Sequence, residues 1–214
     1  MTEFVDILLH LDQHLVEWIA FFGPWFYAVM FLIIFCETGL VVTPFLPGDS
    51  LLFALGALAG ISGELHLGLL LVLLISAGIL GDGVNYHIGK YLGIKVFEKD
   101  SRFFKRKHLE LTNSFYDKYG GFTIVVARFA PIVRTFAPFV AGIGAMKYKK
   151  FIIYNIVGAI AWVGTFLLAG YFFGNLPVVK KNFHILIVAI IFVSLLPMIV
   201  PWIKHALRKS SAEN

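Results

Sequence analysis

Three runs of this chain pass without a charged residue: Trp18–Cys36 (19 residues), Phe151–Val179 (29) and Asn182–Ile203 (22). A bilayer core of ~30 Å is crossed by about 20 helical residues, so each run is long enough to span it. Leu65–Gly81 is shorter, at 17 residues, and reaches spanning length if it continues to Tyr86. Only a helix or a closed barrel satisfies its own backbone in lipid, and runs of this length are helical. They predict an all-α polytopic membrane protein. Composition agrees, with 59% apolar and 14% charged residues, against roughly 45–50% and 25% in soluble domains. The first 17 residues contain Glu3, Asp6, Asp12 and Glu17 and no Lys or Arg. The basic start of a cleaved signal peptide is therefore missing, and none is expected. The single Cys36 excludes an internal disulfide and reads as ordinary packing.

Charge is distributed unevenly. Residues 1–89 hold eight acids and no Lys or Arg, and all 18 basic residues lie from Lys90 onward. This is the pattern of loops retained on the cytoplasmic side, so no nucleic-acid partner is expected. The clusters are Lys90–Lys118, then Lys147, Lys149 and Lys150, then Lys204, Arg208 and Lys209. All three share one side only if the segment between the first two enters the membrane and returns. The chain is then expected to be a multi-pass membrane protein with both termini in the cytoplasm.

Two apolar stretches carry charges that a membrane should reject. Cys36–Ser50 contains Glu37, Asp49, Pro44 and Pro47; Ala127–Phe139 contains Arg128, Arg134, Pro131 and Pro138. Glu37 precedes Pro47 by ten residues, and Arg128 precedes Pro138 by ten. Proline breaks or kinks a helix, and an ionisable group at membrane depth costs at least ~2.5–3.5 kcal/mol. Matched broken segments in two halves of a chain point to a transporter's binding site. Ser50–Ser62, at 13 residues, gives a helix of roughly 20 Å, too short to span. The expected architecture is an inverted-repeat, transporter-like fold in a single domain, residues 1–214. It has two re-entrant helical hairpins, about four transmembrane helices and an amphipathic N-terminal helix. The divisions are 1–16 for the amphipathic helix, 17–63 for a transmembrane helix and the first hairpin, and 64–93 for the next transmembrane helix. A basic cytoplasmic amphipathic segment follows at 94–120, with Lys105, Arg106 and Lys107 able to meet anionic membrane lipids. The second hairpin is 121–146, the last two transmembrane helices are 150–176 and 182–204, and 205–214 is a cytoplasmic tail.

Arg128 and Arg134 are the strongest functional candidates, since guanidinium offers a planar fork of donors suited to phosphate. The alternative is that they neutralise Glu37 and Asp49, or snorkel to the surface. Glu37 follows an apolar span, and a carboxyl in apolar surroundings is a candidate for loading and unloading protons. Asp49 follows Pro47-Gly48 and reads either as a helix cap or as a group tuning an anion site at a helix start, sharing protons with Glu37. Asp82, beside Gly81 and Gly83, reads mainly as structural. Asp82, Tyr86, Pro47 and Pro138 form a secondary set. Small pairs such as Gly89/Gly93 and Gly170/Gly174 are expected to allow close helix packing. His66, His87 and His184 are scattered, so neither a metal site nor another cofactor is expected.

Phe35-Cys36-Glu37-Thr38-Gly39-Leu40 followed by Phe45-Leu46-Pro47-Gly48-Asp49-Ser50-Leu51-Leu52 resembles the first signature of the DedA family. Ala127-Arg128-Phe129-Ala130-Pro131-Ile132-Val133-Arg134-Thr135-Phe136-Ala137-Pro138, then Ala141-Gly142, resembles the second. Gly81-Asp82, Asn85-Tyr86, Gly89, Asn155, Gly158, Trp162, Gly170-Tyr171 and Gly174 extend the likeness over nearly the whole chain. The resemblance implies an inner-membrane protein with two re-entrant hairpins, related to eukaryotic VTT-domain lipid scramblases. It implies a part in returning undecaprenyl phosphate across the membrane, linked to proton motive force, with Glu37, Asp49, Arg128 and Arg134 as the important charges.

The leading expectation is a non-enzymatic translocase for undecaprenyl phosphate or a similar polyprenyl phosphate, with protons and anionic lipids as further partners. A proton-coupled transporter of small cations or drugs is the alternative, as is a passive phospholipid scramblase. A homodimer is compatible with either.

Overall fold

The computed structural model describes residues 11–40, 48–61, 65–93, 106–174, 176, 177 and 179. The expected span 182–204, the tail 205–214, Pro47 and most of the N-terminal helix lie outside the described residues. Every element within them is helical.

Helix α1 is Leu11–Phe22, and a single 3₁₀ turn at Gly23–Trp25 joins it to α2, Phe26–Gly39. The expected boundary between surface helix and span, at residues 16 and 17, is not a break: α1 runs through it. The break comes at Gly23, whose φ of 51° suits glycine, with Pro24 inside the turn where its missing N–H costs nothing. The apolar stretch Glu17–Gly39 is 23 residues long, so Glu37 ends a span rather than beginning the segment after it.

Helix α3, Gly48–Ile61, has 14 residues, about 21 Å at 1.5 Å per residue and short of the ~30 Å hydrocarbon core. Helix α4, Leu67–Leu92, has 26, lies within the expected division 64–93 and runs six residues past Tyr86. His66 caps its start, the ring nitrogen accepting from the Leu69 amide at 3.2 Å. At its other end Gly93 takes φ 66°, so Gly93 closes the helix instead of packing against a neighbour. Helix α5, Arg106–Tyr119, is the amphipathic segment predicted in the basic region. A turn at Gly120–Phe122 leads to α6, Thr123–Ala127, and α7, Pro131–Val140, follows. A π turn at Ala141–Ala145 separates α7 from α8, Tyr148–Phe173. Among the described residues, Glu17–Gly39, α4 and α8 are the three stretches long and apolar enough to cross a membrane.

Packing is tightest where glycines let backbones touch. Helix α3 lies along α8 and α2 along α4. A Cβ on Gly56 would overlap the Leu167 carbonyl, and one on Gly170 the Phe53 carbonyl. Gly89 of α4 meets the Phe139 carbonyl, and Gly142 meets that of Tyr86. The Gly170/Gly174 expectation holds, since Gly174 abuts Ala57. These contacts bring α3, α4, α7 and α8 together around one buried polar cluster.

Candidate functional site

Every charge flagged in the two broken stretches is buried, and the structure sorts them into two units. In the first, Arg134 from the first turns of α7 reaches two acids on separate elements. Its Nη2 donates to Glu37 Oε1 at 2.7 Å, and its Nη1 donates to Asp49 Oδ1 at 2.9 Å. Glu37 lies in the last turn of α2. Asp49 is the second residue of α3, in its first turn, where a negative charge complements the helix dipole. Gly48 passes so close to the Glu37 carboxylate that a Cβ there would overlap it.

The second unit is built on Arg128, in the turn between α6 and α7. A single atom, Nη2, donates to Asp82 Oδ2 at 2.6 Å, to Asn155 Oδ1 at 2.6 Å and to the Gly78 carbonyl at 3.3 Å. Asn155 is held in turn by its Nδ2, which donates to the Ile79 carbonyl at 3.0 Å. Asp82, expected to be mainly structural, is the counter-ion of Arg128.

Trp162 of α8 stands between the two units. It is fully buried, and its Nε1 donates to Asp49 Oδ1 at 2.8 Å. Its ring lies 5.1 Å from the Arg134 Cζ and 5.7 Å from the Arg128 Cζ, within cation–π range of both. Asn85 ties the scaffold together, donating to the Thr38 carbonyl at 3.2 Å and the Thr135 carbonyl at 2.7 Å.

The secondary candidates fall around this centre. Tyr86 donates to the Met146 carbonyl at 2.9 Å and stacks on Phe151. Pro138 sits inside α7 and has no N–H, so it offers nothing to the Arg134 carbonyl four residues earlier. Tyr116 of α5 donates to the Ala137 carbonyl at 2.9 Å, fastening the amphipathic helix to α7. Burial pushes the Tyr116 phenol up from its ordinary value, which keeps it a donor.

Three carboxylates and two guanidinium groups make the described cluster net −1 when all are ionised. Neutrality requires one further proton. Arg128 Nε and Nη1, Arg134 Nε, Glu37 Oε2 and Asp82 Oδ1 are buried without a hydrogen-bond partner among the described residues. Unclaimed donors on buried arginines are costly to maintain.

Reasoning from the residues alone singled out neither Asn155 nor Trp162, which entered only through the family likeness. Their signal was present: Asn155 is a polar residue inside a 29-residue charge-free run, and Trp162 follows it by seven, on the same helix face.

Fold and site together define a helical membrane protein with a charged cluster buried between short, proline-broken segments. The model of the VTT domain matches residues 46–172. Protein DedA of Escherichia coli K12 is 55% identical over 203 residues, covering 94% of this chain and 93% of that protein. An uncharacterized membrane protein of Mycobacterium tuberculosis is 46% identical over 171 residues, covering 79% and 75%. The inner membrane protein YghB of E. coli K12 is 31% identical over 187 residues, covering 85% and 84%. No solved structure matches the chain. The chain belongs to the DedA family of VTT-domain membrane proteins.

Proposed function

We propose that this protein carries undecaprenyl phosphate, or a close polyprenyl phosphate, across the bacterial inner membrane, using proton motive force. One observation carries the reading: Arg134 is buried and held by two carboxylates that come from two other elements. A phosphate is a better partner for such a fork than two separated carboxylates. The isoprenoid tail stays in lipid, so the protein needs only a cationic place for the headgroup. The site performs exchange of ion pairs, with no covalent step.

The odd acid supports proton coupling. When phosphate takes Arg134, Glu37 loses its cation, and a proton is the cheapest replacement for a buried carboxylate. Loading from outside would then bring lipid and proton together, and proton release inside would return Glu37 to Arg134. A membrane potential supplies about 2.3 kcal/mol per net charge per 100 mV. To help inward movement, the protons carried must outnumber the lipid's own negative charges. The short α3 and the broken α6–α7 segment support re-entry from opposite faces in this scheme, with the basic clusters inside.

Proteoliposomes loaded with fluorescent polyprenyl phosphate test the reading, with phosphatidylglycerol and a neutral polyprenol as controls. Flipping selective for the polyprenyl phosphate is expected, and Glu37→Gln should abolish its dependence on the pH gradient. Equal flipping of all three lipids would make the protein a passive scramblase. For topology, cysteines at Lys107, Lys149 and the C-terminus should resist an impermeant thiol reagent applied from the periplasm. Labelling at 149 would sink the second hairpin.

A further inference from the structure

We propose that Trp162 is a positioning residue that makes Arg134 available to an anion, by keeping hold of Asp49 when the ion pair opens. The inference rests on the phosphate reading above and deepens it.

Asp49 Oδ1 accepts from two donors at once, Arg134 Nη1 at 2.9 Å and Trp162 Nε1 at 2.8 Å. They differ in kind. Arg134 is a cation whose donors suit a phosphate; Trp162 is neutral, has one donor, and is fully enclosed in α8. An anion entering the site competes for Arg134 and has little use for the indole. When Arg134 turns to it, Asp49 keeps the Trp162 hydrogen bond. Without that bond, releasing Arg134 would leave a buried carboxylate poorer by a neutral donor as well as by its cation. The cost of an under-satisfied buried charge would fall on the ligand's affinity.

The ring adds a second effect. Its faces lie within reach of both guanidinium groups, so part of the attraction each cation feels does not come from a carboxylate and survives when one leaves. Phe in place of Trp162 keeps a π face and removes the N–H, which separates the two contributions.

The test is binding of farnesyl phosphate, a soluble short isoprenoid phosphate, to the full-length protein in detergent, with farnesol as the neutral control. Trp162→Phe should weaken farnesyl phosphate binding roughly tenfold, the value of one hydrogen bond to a charged group. Farnesol binding should not change. In an Asp49→Asn background, where there is no charge to hold, adding Trp162→Phe should change the affinity less than twofold. Thermal unfolding of each variant reports folding separately, and Trp162→Met, which also lacks a donor, serves as a second variant if the Phe protein is unstable. A wild-type protein that binds farnesyl phosphate with Trp162→Phe and Trp162→Met unchanged overturns the positioning role alone. A Trp162→Phe effect equally large in the Asp49→Asn background also overturns it, because Trp162 would then act elsewhere. A wild-type protein that does not prefer farnesyl phosphate to farnesol overturns the phosphate reading and this inference together.

Discussion

Arg128 and Arg134 stand six residues apart on one broken segment, are both buried, and are used in opposite ways. Arg134 spreads its two terminal nitrogens over two acids, each from a different element. Arg128 concentrates one nitrogen on one acid, one amide and one carbonyl. Its side chain also lies against Gly78 and Gly158, where a Cβ would come within 3.2 Å and 3.1 Å of it. Arg134 is a junction between elements; Arg128 is a peg in a close-fitting slot. Equal charge and equal burial therefore do not imply equal roles.

The largest effect should come from removing the junction. Arg134→Met leaves Glu37 and Asp49 buried together without their cation, and should cost about 3–5 kcal/mol or more. Thermal unfolding in detergent checks this, and adding Glu37→Gln and Asp49→Asn should recover much of the loss. Arg128→Met strands one acid instead of two and should cost less. If Arg128→Met is the worse variant, the comparison is inverted.

Lysine sharpens the contrast further. The residue types alone suggest that either Arg→Lys change impairs transport. The geometry separates them. One ammonium cannot take the places of two nitrogens aimed at different acids, so Arg134→Lys should flip lipid at least about tenfold more slowly, for the loss of one charge-assisted hydrogen bond. Arg128 donates to all three partners through one atom, which an ammonium with three donors can approach, so Arg128→Lys should keep most of its rate. Proteoliposome flipping at matched protein level decides it.

Smaller effects test the peg. Asn155→Leu removes an acceptor from Arg128 and a donor from the Ile79 carbonyl, and should cost about 1–3 kcal/mol. It should add to Arg134→Lys but not to Arg128→Met in unfolding measurements, because only the latter shares its network. Gly158→Ala should destabilise by about 1–3 kcal/mol through crowding of Arg128. Gly83→Ala, on α4 where a Cβ meets nothing within 4 Å, should be neutral or stabilise by about 0.5–1 kcal/mol.

Much of this was legible in the chain. Charge-free length located two of the three described spans, and the 17-residue run Leu65–Gly81, continued past Asp82, located the third, because length against bilayer thickness is a local property. The prolines and out-of-place charges located the broken segments for the same reason. The pairing was legible in part: neutralisation of Glu37 and Asp49 was the expected alternative, and Arg134 meets both, whereas Arg128 finds Asp82 across 46 residues and Asn155 across 27, and only the tertiary packing of α4 and α8 brings them together. Trp162 was concealed by its surroundings, since a tryptophan in an apolar run reads as core until its N–H is seen to have a carboxylate. Gly89 and Gly93 look alike in sequence, yet Gly89 sits under the Phe139 carbonyl and Gly93 ends a helix. Helix α1 ran past its expected end because nothing before Gly23 obliges it to stop.

Helix α4 sets a condition on any working cycle. Asp82 and the Gly78 carbonyl hold Arg128, Asn85 grips carbonyls on both α2 and α7, and Tyr86 and Gly89 lie against the chain from Phe139 to Met146. The two charged segments cannot separate while both keep their hold on Asn85, because one side-chain amide supplies both bonds. In the proposed transport cycle one of them would leave while α4 stays with the other, which would make α4 a fulcrum, and the order in which the Thr38 and Thr135 carbonyls let go of Asn85 would decide which face of the membrane opens first.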